Sequence, residues 1–293
     1  MAARKKILFV INPISGIGRQ RTIEKAISRH LDFSLYEHEI AFTQYPHHAA
    51  EIAKNAAGNN FEVVVAVGGD GSANDIANGL LNSNTAMGII PLGSGNGLAH
   101  HLKIPFRISM AIKVLNKYKP SKIDTATMNG KLFISIAGIG FDAMVADKFA
   151  LQKRRGFRTY LYLVIKEFFK YKPSEYIIEA NGNVFKTKAL LISFANSDQF
   201  GNNISIAPKA SISDGYLDLC IIKELSTLKA VRIAHKFFLK NIDSSRFVET
   251  IKIKEARISC DDFIHSHIDG DADEKVTDVH LRIQPKSLFI LIP

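Results

Sequence analysis

Cysteine is scarce in this chain, and long apolar runs are absent from it. The two cysteines, Cys220 and Cys260, belong to no CxxC pair and to no Cys/His cluster. That spacing excludes a zinc site of the usual kind. It also excludes a disulfide framework and favours a reducing compartment. No stretch approaches the ~18 consecutive apolar residues of a membrane-spanning helix. The opening Met-Ala-Ala-Arg-Lys-Lys has the look of a signal-peptide n-region, but the apolar run Ile7–Ile11 is broken by Asn12-Pro13 and is too short for an h-region. The expectation is a cytoplasmic protein, with peripheral membrane association left open. Internal repeats, low-complexity tracts and Pro/Ser-rich linkers are also missing. So are three phosphate or nucleotide motifs. There is no GxxxxGK[ST], no H-R-D with D-F-G, and no GxGxxG after the first strand. These absences exclude a P-loop protein and a protein kinase and argue against a dehydrogenase.

What is present is a basic, ordinarily apolar chain of 293 residues, long enough for two packed cores. Apolar residues make up 46% and charged residues 23%, the balance of a globular protein. Lys and Arg number 38 against 28 Asp and Glu, a formal charge of +10. That balance suits an anionic partner: nucleic acid, an anionic membrane surface or a phosphorylated substrate. No nucleic-acid-binding module accompanies the charge, so nucleic acid is set aside.

Two rhythms divide the chain. Up to about Asp124, short apolar runs alternate with helical patterns. Strands are expected at Ile7–Ile11, Leu35–Phe42, Val63–Val67 and Met87–Ile90. Helices are expected at Arg19–Leu31, Pro46–Ala57, Asn74–Leu81 and Ile108–Leu115. The near-pure valine run 63–67 reads as a strand buried on both faces. This alternation implies an α/β domain, a parallel sheet flanked by helices, over residues 1–124. From 125 to 286 strand candidates follow one another. Asn129-Gly130, Asn181-Gly182 and Asp214-Gly215 mark hairpin-type turns between them, and Leu132–Ala137 reads as one strand. Only Phe141–Phe169 and Ser226–Leu239 are helical there. The second domain is therefore expected to be mainly β and sandwich-like, with a cleft between the two. The last strand, near 287–293, is expected to return to the first domain.

Three glycine-rich loops each follow a predicted strand of the first domain, where ligands bind in open α/β sheets. They are Asn12-Pro13-Ile14-Ser15-Gly16-Ile17-Gly18, Gly68-Gly69-Asp70-Gly71-Ser72-Ala73-Asn74, and Pro91-Leu92-Gly93-Ser94-Gly95-Asn96-Gly97. Glycine lets backbone N–H groups approach and converge on phosphate oxygens, and the following helix adds its N-terminal dipole. One such loop is weak support, because many strand-to-helix turns need glycine. Three at successive strand ends point to a phosphate site.

The stretch Gly68-Gly69-Asp70-Gly71-Ser72-Ala73-Asn74-Asp75-Ile76-Ala77-Asn78-Gly79-Leu80 resembles the GGDGTxNEVxNGL signature of the diacylglycerol kinase catalytic-domain family. That family includes bacterial lipid kinases, sphingosine kinases and ceramide kinases. Asn12-Pro13-x-Ser15-Gly16 resembles its NPxSG loop, Pro91-Leu92-Gly93-Ser94-Gly95-Asn96 its PLGTGN loop, and Gly138-Ile139-Gly140-Phe141-Asp142-Ala143 its GxGFDA element. Thr43 precedes Pro46-His47-His48-Ala49, similar to TxxPGHA with His47 for glycine.

The resemblance implies an NAD kinase/phosphofructokinase-like first domain, a nucleotide site between the domains, and ATP with Mg²⁺ as cofactors. It implies that Asn12, Pro13, Ser15, Gly16, Thr43, Gly68, Gly69, Asp70, Gly71, Ser72, Asn74 and Ser94 contact ATP. Asp70 is a candidate for the metal of the reaction, beside the plainer reading of a turn cap.

Ile268-Asp269-Gly270-Asp271 is locally an Asp-Gly turn. The family carries DGE here, with the last carboxylate as proton acceptor. The resemblance thus implies Asp271 as general base, one methylene shorter, with Asp269 supporting it or acting instead. His265 and His267 share a strand face beside the turn and read as solvated surface histidines.

Asp214-Gly215-Tyr216-Leu217 resembles the family's DGxL segment, which implies a structural Mg²⁺ on Asp214 and on the carbonyls of Ser211 and Tyr216. Gly93-Ser94-Gly95-Asn96-Gly97-Leu98-Ala99 is closer to the GSGNxLA of sphingosine and ceramide kinases. Many bacterial members have Asp at the place of Gly97. The cations and aromatics from Lys153 to Lys172 suit a helix resting on an anionic bilayer, or a core helix with a basic end. The implied partners are a lipid substrate and a transient anionic membrane surface; a homodimer stays open. The resemblance implies a lipid kinase that transfers the ATP γ-phosphate to the hydroxyl of diacylglycerol or of a sphingoid or ceramide-type lipid, and the GSGNxLA likeness tilts the acceptor away from diacylglycerol. An NAD kinase-like enzyme and a non-catalytic nucleotide- or lipid-binding regulator remain as alternatives.

Overall fold

The computed structural model describes residues 3–13, 20–152, 156–201 and 204–293. The chain divides into two compact units, one of Met1–Ile123 with Lys286–Pro293 and one of Asp124–Pro285.

The first unit alternates strand and helix: β1 (Lys5–Ile11), α1 (Gln20–His30), β2 (Tyr36–Phe42), α2 (His48–Gly58), β3 (Val63–Gly68), α3 (Asp70–Leu80), β4 (Ala86–Pro91), α4 (Gly97–His101) and α5 (Ile108–Asn116). The strands form a parallel sheet in the order β4, β3, β1, β2. The end of the last strand of the chain joins beyond β4, where Ile290 pairs with Met87. Every residue of β3 and β4 is buried, so these strands are apolar on both faces, whereas the edge strand β2 is only partly buried.

Two helix starts differ from the sequence reading. Helix α2 begins at His48, after Pro46, because His47 has φ 64° and the helix cannot propagate back through a left-handed residue. Helix α3 begins at Asp70 rather than Asn74, with Gly69 as its N-cap residue. The stretch Gly68–Ser72 is therefore a strand end and a first helical turn, with almost no loop between them. The far end of that motif serves packing. A Cβ on Gly79 would stand 2.3 Å from the Ala50 carbonyl oxygen and 2.7 Å from the Ala53 Cβ, so only glycine lets α3 lie this close to α2.

The second unit contains β5 (Pro120–Met128, entered from the first unit), β6 (Lys131–Phe133), β7 (Ile136–Gly140), α6 (Phe141–Ala150), α7 (Phe157–Phe168), β8 (Ser174–Ala180), β9 (Asn183–Ala195), β10 (Gln199–Gly201), β11 (Ile204–Ser205), β12 (Leu217–Lys223), α8 (Thr227–Phe238), β13 (Val248–Ile253), β14 (Glu255–Ile268) and β15 (Asp271–Leu291, whose end belongs to the first unit). The stretch 132–137 is split between β6 and β7 rather than being one strand.

Strands β7 and β8 fill one slot end to end. Gly140 pairs with Leu191 of β9 and Ser174 with Ala189, while β14 flanks both strands on the other side. Helices α6 and α7 are thus an excursion inserted between two halves of one strand position. At β12 the sheet is buried on both faces. Leu217, Leu219 and Ile221 of β12 enter a core with Ile139, Tyr176 and Phe194. Cys220 and Ile222 enter another with Phe141, Val145 and Leu163 of the inserted helices.

Three tight turns have positive φ at both central residues, the signature of a type I′ hairpin: Asn129-Gly130, Asn181-Gly182 and Asp269-Gly270. Asp214-Gly215 is not such a turn. It precedes β12 with no partner strand before it, and its bend is held at long range, since Gly215 N donates to the buried Asp124 carboxylate at 2.7 Å.

Candidate functional site

In the first unit the three glycine motifs fall at the C-terminal ends of β1, β3 and β4, adjacent strands of one sheet. Backbone hydrogen bonds tie them together. Asn12 N donates to the Val67 carbonyl (3.3 Å), Thr43 N to Ile11 (3.0 Å) and Leu92 N to Gly68 (2.8 Å).

Asp70 then locks the second motif to the third. Its Oδ2 accepts from Asn96 N and its Oδ1 from Gly97 N, each at 2.7 Å. Both N–H groups lie at the start of α4, so the carboxylate caps that short helix. Asn96 has φ 53° and closes a ring on Gly93: its amide donates to the Gly93 carbonyl (2.6 Å) and its oxygen accepts from Gly93 N (3.1 Å). A Cβ on Gly93 would come within 2.5 Å of the Gly69 Cα, and one on Gly95 within 2.8 Å of Asp70 Oδ2. These glycines allow the two motifs to touch, leaving room for no side chain.

What this edge offers is a helix N-terminus at the end of a parallel strand. The first intrahelical bond of α3 runs from Ala73 N to Gly69 O (3.0 Å), so Gly71 and Ser72 present first-turn N–H groups ahead of it. Ser94 is exposed, and Asn74 lies in the second turn of α3, part-buried. Ser15 and Gly16 lie outside the described residues.

In the second unit the two carboxylates of the Asp269-Gly270-Asp271 turn differ sharply. Asp269 is buried, with φ 48°, and accepts from three successive backbone N–H groups: Ile134 (3.0 Å), Ser135 (2.8 Å) and Ile136 (3.0 Å). It is committed to holding the segment between β6 and β7. Asp271 is exposed at the first position of β15. Of the two, only Asp271 is exposed to solvent.

The neighbouring histidines are not the solvated pair the alternation suggests. β14 lies between β7 and β15, and its face carrying these residues is covered by α6. His267 is buried, its Nε2 lying 3.1 Å from Asp142 Oδ2; His265 Nδ1 lies 2.7 Å from Asp147 Oδ2. Asp142 also accepts from Ala143 N (2.9 Å) and Ser193 Oγ (3.2 Å). A Cβ on Gly138 would stand 2.7 Å from His267 Nε2. The Gly138–Ala143 motif therefore builds a buried polar cluster under the turn.

Comparison with known proteins now decides the family. The profile of the diacylglycerol kinase catalytic domain matches residues 6–128, and that of the YegS C-terminal NAD kinase beta sandwich-like domain matches residues 135–292. The chain belongs to the diacylglycerol kinase catalytic-domain family. It is an α/β domain followed by a β-sandwich-like one. A protein named diacylglycerol kinase from Bacillus subtilis is 26% identical over 273 residues, covering 91% of this chain and 90% of its own. One of the same name from Staphylococcus aureus is 28% identical over 226 residues, covering 75% and 71%. A crystal structure of a diacylglycerol kinase from Bacillus anthracis shares the fold, with a TM-score of 0.76 at 19% identity over 100% of this chain and 98% of that one.

In this diacylglycerol kinase family member, the turn that the resemblance assigns to a structural Mg²⁺ has its own cation. Lys252 Nζ donates to Asp214 Oδ2, while Asp214 Oδ1 accepts from Tyr216 N (3.1 Å). That hydrogen bond holds the Lys252 ammonium above its ordinary pKa. The neighbouring Asp218 carboxyl is pushed up by burial, with Lys252 opposing the shift. No group of three or more metal-ligating side chains occurs among the described residues.

Sequence reasoning missed Asp124 and Asn96 as anchors. Asn96 stood inside a motif, and the signal was asparagine itself, which tolerates the left-handed φ found there. Asp124, fully buried within β5, had no local signal, because its partners Ile212 and Gly215 are remote. His47 and Asp75 replace the motif's Gly and Glu together, and His47 Nδ1 lies 2.9 Å from Asp75 Oδ1. A groove of about 590 Å³ lined by Glu179, Asn181, Lys254, Arg257 and His280 contains none of the motif residues.

Proposed function

We propose that this protein transfers the γ-phosphoryl group of ATP to the hydroxyl of a lipid, with diacylglycerol as the acceptor that the names of its relatives point to. The observation that carries the reading is the Asp70 clamp, which sets the glycine motifs side by side next to the α3 N-terminus. Anionic phosphate oxygens suit first-turn N–H groups in that setting, and close backbone approach is what Gly69 and Gly93 permit.

Asn12, Pro13, Thr43, Gly68 to Ser72, Asn74 and Ser94 bind and orient the nucleotide in this reading. Asp70 is the carboxylate of that unit offered to the Mg²⁺ accompanying the nucleotide. Each of its oxygens is already an acceptor, and an ionised carboxylate has further lone pairs. The metal, when bound, neutralises phosphate charge. Asp271 accepts the proton of the attacking lipid hydroxyl; the products are ADP and the lipid phosphate. Gly97 enters the clamp through its backbone N–H, a donor that Asp at that position would supply equally, so the clamp itself does not discriminate between acceptors.

The assay is transfer of label from γ-labelled ATP, with Mg²⁺, to diacylglycerol, ceramide, sphingosine and NAD presented in parallel. Labelled phosphatidic acid is the expected product. Label on NAD alone would establish the NAD kinase reading, which the description of the C-terminal family domain keeps open. ATP binding with no transfer to any acceptor would establish the regulator.

A lipid acceptor requires access to a bilayer. No helix among the described residues is long and apolar enough to cross one. Helix α7 has the pattern of a surface helix instead. Leu163 and Glu167 face inward, with Glu167 paired to Lys148 at 2.6 Å. The opposite face exposes Leu161 (42%), Tyr162 (61%), Ile165 (56%) and, just past the helix, Phe169 (67%), interleaved with Arg158, Lys166 and Lys170. Apolar and cationic residues on one face suit an anionic interface. Lys153, Arg154 and Arg155 lie outside the described residues. The expected result is co-sedimentation with phosphatidylglycerol vesicles but not with phosphatidylcholine, reduced about tenfold in Ile165→Glu, since each buried side chain contributes about 1.5 kcal/mol or more. Equal binding to both vesicle types would discard the surface.

A further inference from the structure

The structural Mg²⁺ implied by family resemblance does not fit the residues of this turn. A lysine is already paired with the carboxylate that the cation would need. Asp214 is the only carboxylate in the implied ligand set, and its Oδ2 accepts from Lys252 Nζ.

The sheet fixes Lys252 there. In the antiparallel β12–β13 ladder Lys252 lies directly opposite Asp218, and paired residues project to the same face. Asp218 is buried, and a positive charge beside it offsets the cost of ionising it there. One lysine thus faces both acidic side chains of the Asp214–Asp218 segment. Lys254 reinforces it: its Nζ lies 5.2 Å from the centre of the Tyr216 ring, and Lys252 Nζ 5.9 Å from the same ring. A divalent cation entering this turn would meet ammonium groups before it met the carboxylate.

We propose that Lys252 is a built-in replacement for the structural metal of this turn, so that the second unit folds without Mg²⁺. Removing the ammonium leaves Asp214 and buried Asp218 as a hard, anionic oxygen pair of the kind Mg²⁺ takes. The proposal concerns stability and is independent of the lipid kinase reading.

The test is thermal unfolding of the full chain without nucleotide, in EDTA and in millimolar MgCl₂. Wild type is expected to melt at the same temperature in both. Lys252→Met is expected to melt about 5 °C lower in EDTA and to recover about 3 °C or more in Mg²⁺, as a ligand binding only the folded state produces. Adding Asp214→Asn to Lys252→Met is expected to abolish the recovery, which separates this turn from other Mg²⁺ sites. Lys252→Arg, which keeps the cation, is expected to stay blind to Mg²⁺ and remains measurable should the methionine variant not fold. A wild type stabilised by Mg²⁺ by about 3 °C or more, a Lys252→Met protein blind to Mg²⁺, or a metal-dependent Lys252→Arg would overturn the proposal.

Discussion

Replacing Asp269 with alanine is expected to destabilise the second unit by about 4 kcal/mol, because buried N–H donors lose an ionised acceptor. The donors of Ile134, Ser135 and Ile136 converge on the buried position of Asp269, and each unsatisfied buried group costs about 1–3 kcal/mol. Alanine also tolerates φ 48° less well than aspartate, which raises the cost further. Calorimetry should show the transition of that unit falling by roughly 10 °C, at about 2–4 °C per kcal/mol for a unit of this size. Asp269→Asn keeps the left-handed tolerance and one acceptor oxygen, so it should lose roughly half as much. A fall under about 2 °C for the alanine variant would mean that the three bonds add little.

The fold was legible wherever a local rule decided it. Buried strands β1, β3 and β4 announced themselves as apolar runs, and the hairpins at 129–130 and 181–182 as Asn-Gly pairs. The glycine motifs were legible as tight turns at successive strand ends, but their division of labour was not. Gly79 serves the α2–α3 contact, Gly93 the contact with Gly69, and Gly71 and Ser72 the helix start. Only spatial neighbours far along the chain separate those roles.

The same reasoning accounts for the acidic residues. Asp70, Asp124 and Asp269 each accept from backbone N–H groups that lie far off in sequence. In sequence each looked like a turn former, a metal ligand, a base or nothing at all. The histidines failed for a related reason. Alternation places His265 and His267 on one face correctly, but which face is covered depends on α6, inserted far earlier in the chain. The helix α2 start failed because a histidine occupies a left-handed position where a glycine would have marked the break.

Asp271→Asn should leave the fold intact and remove turnover, the reverse of the result at Asp269. Asp271 is exposed at the edge of a type I′ turn whose conformation is set by Asp269 and Gly270, so a neutral, nearly isosteric side chain should change stability by less than about 0.5 kcal/mol. General-base catalysis contributes about 10²–10⁴ in rate, and kcat should fall by that factor. KM for ATP should not move, because the residues assigned to the nucleotide all lie in the first unit. Asp271→Glu, which restores the family's side chain, should retain most of the wild-type rate, whereas alanine should not. Unchanged kcat in Asp271→Asn, with phosphorylated lipid still formed, would move the base elsewhere. Asp269 could not inherit the role without releasing the backbone it holds, so a base outside the turn would have to supply it.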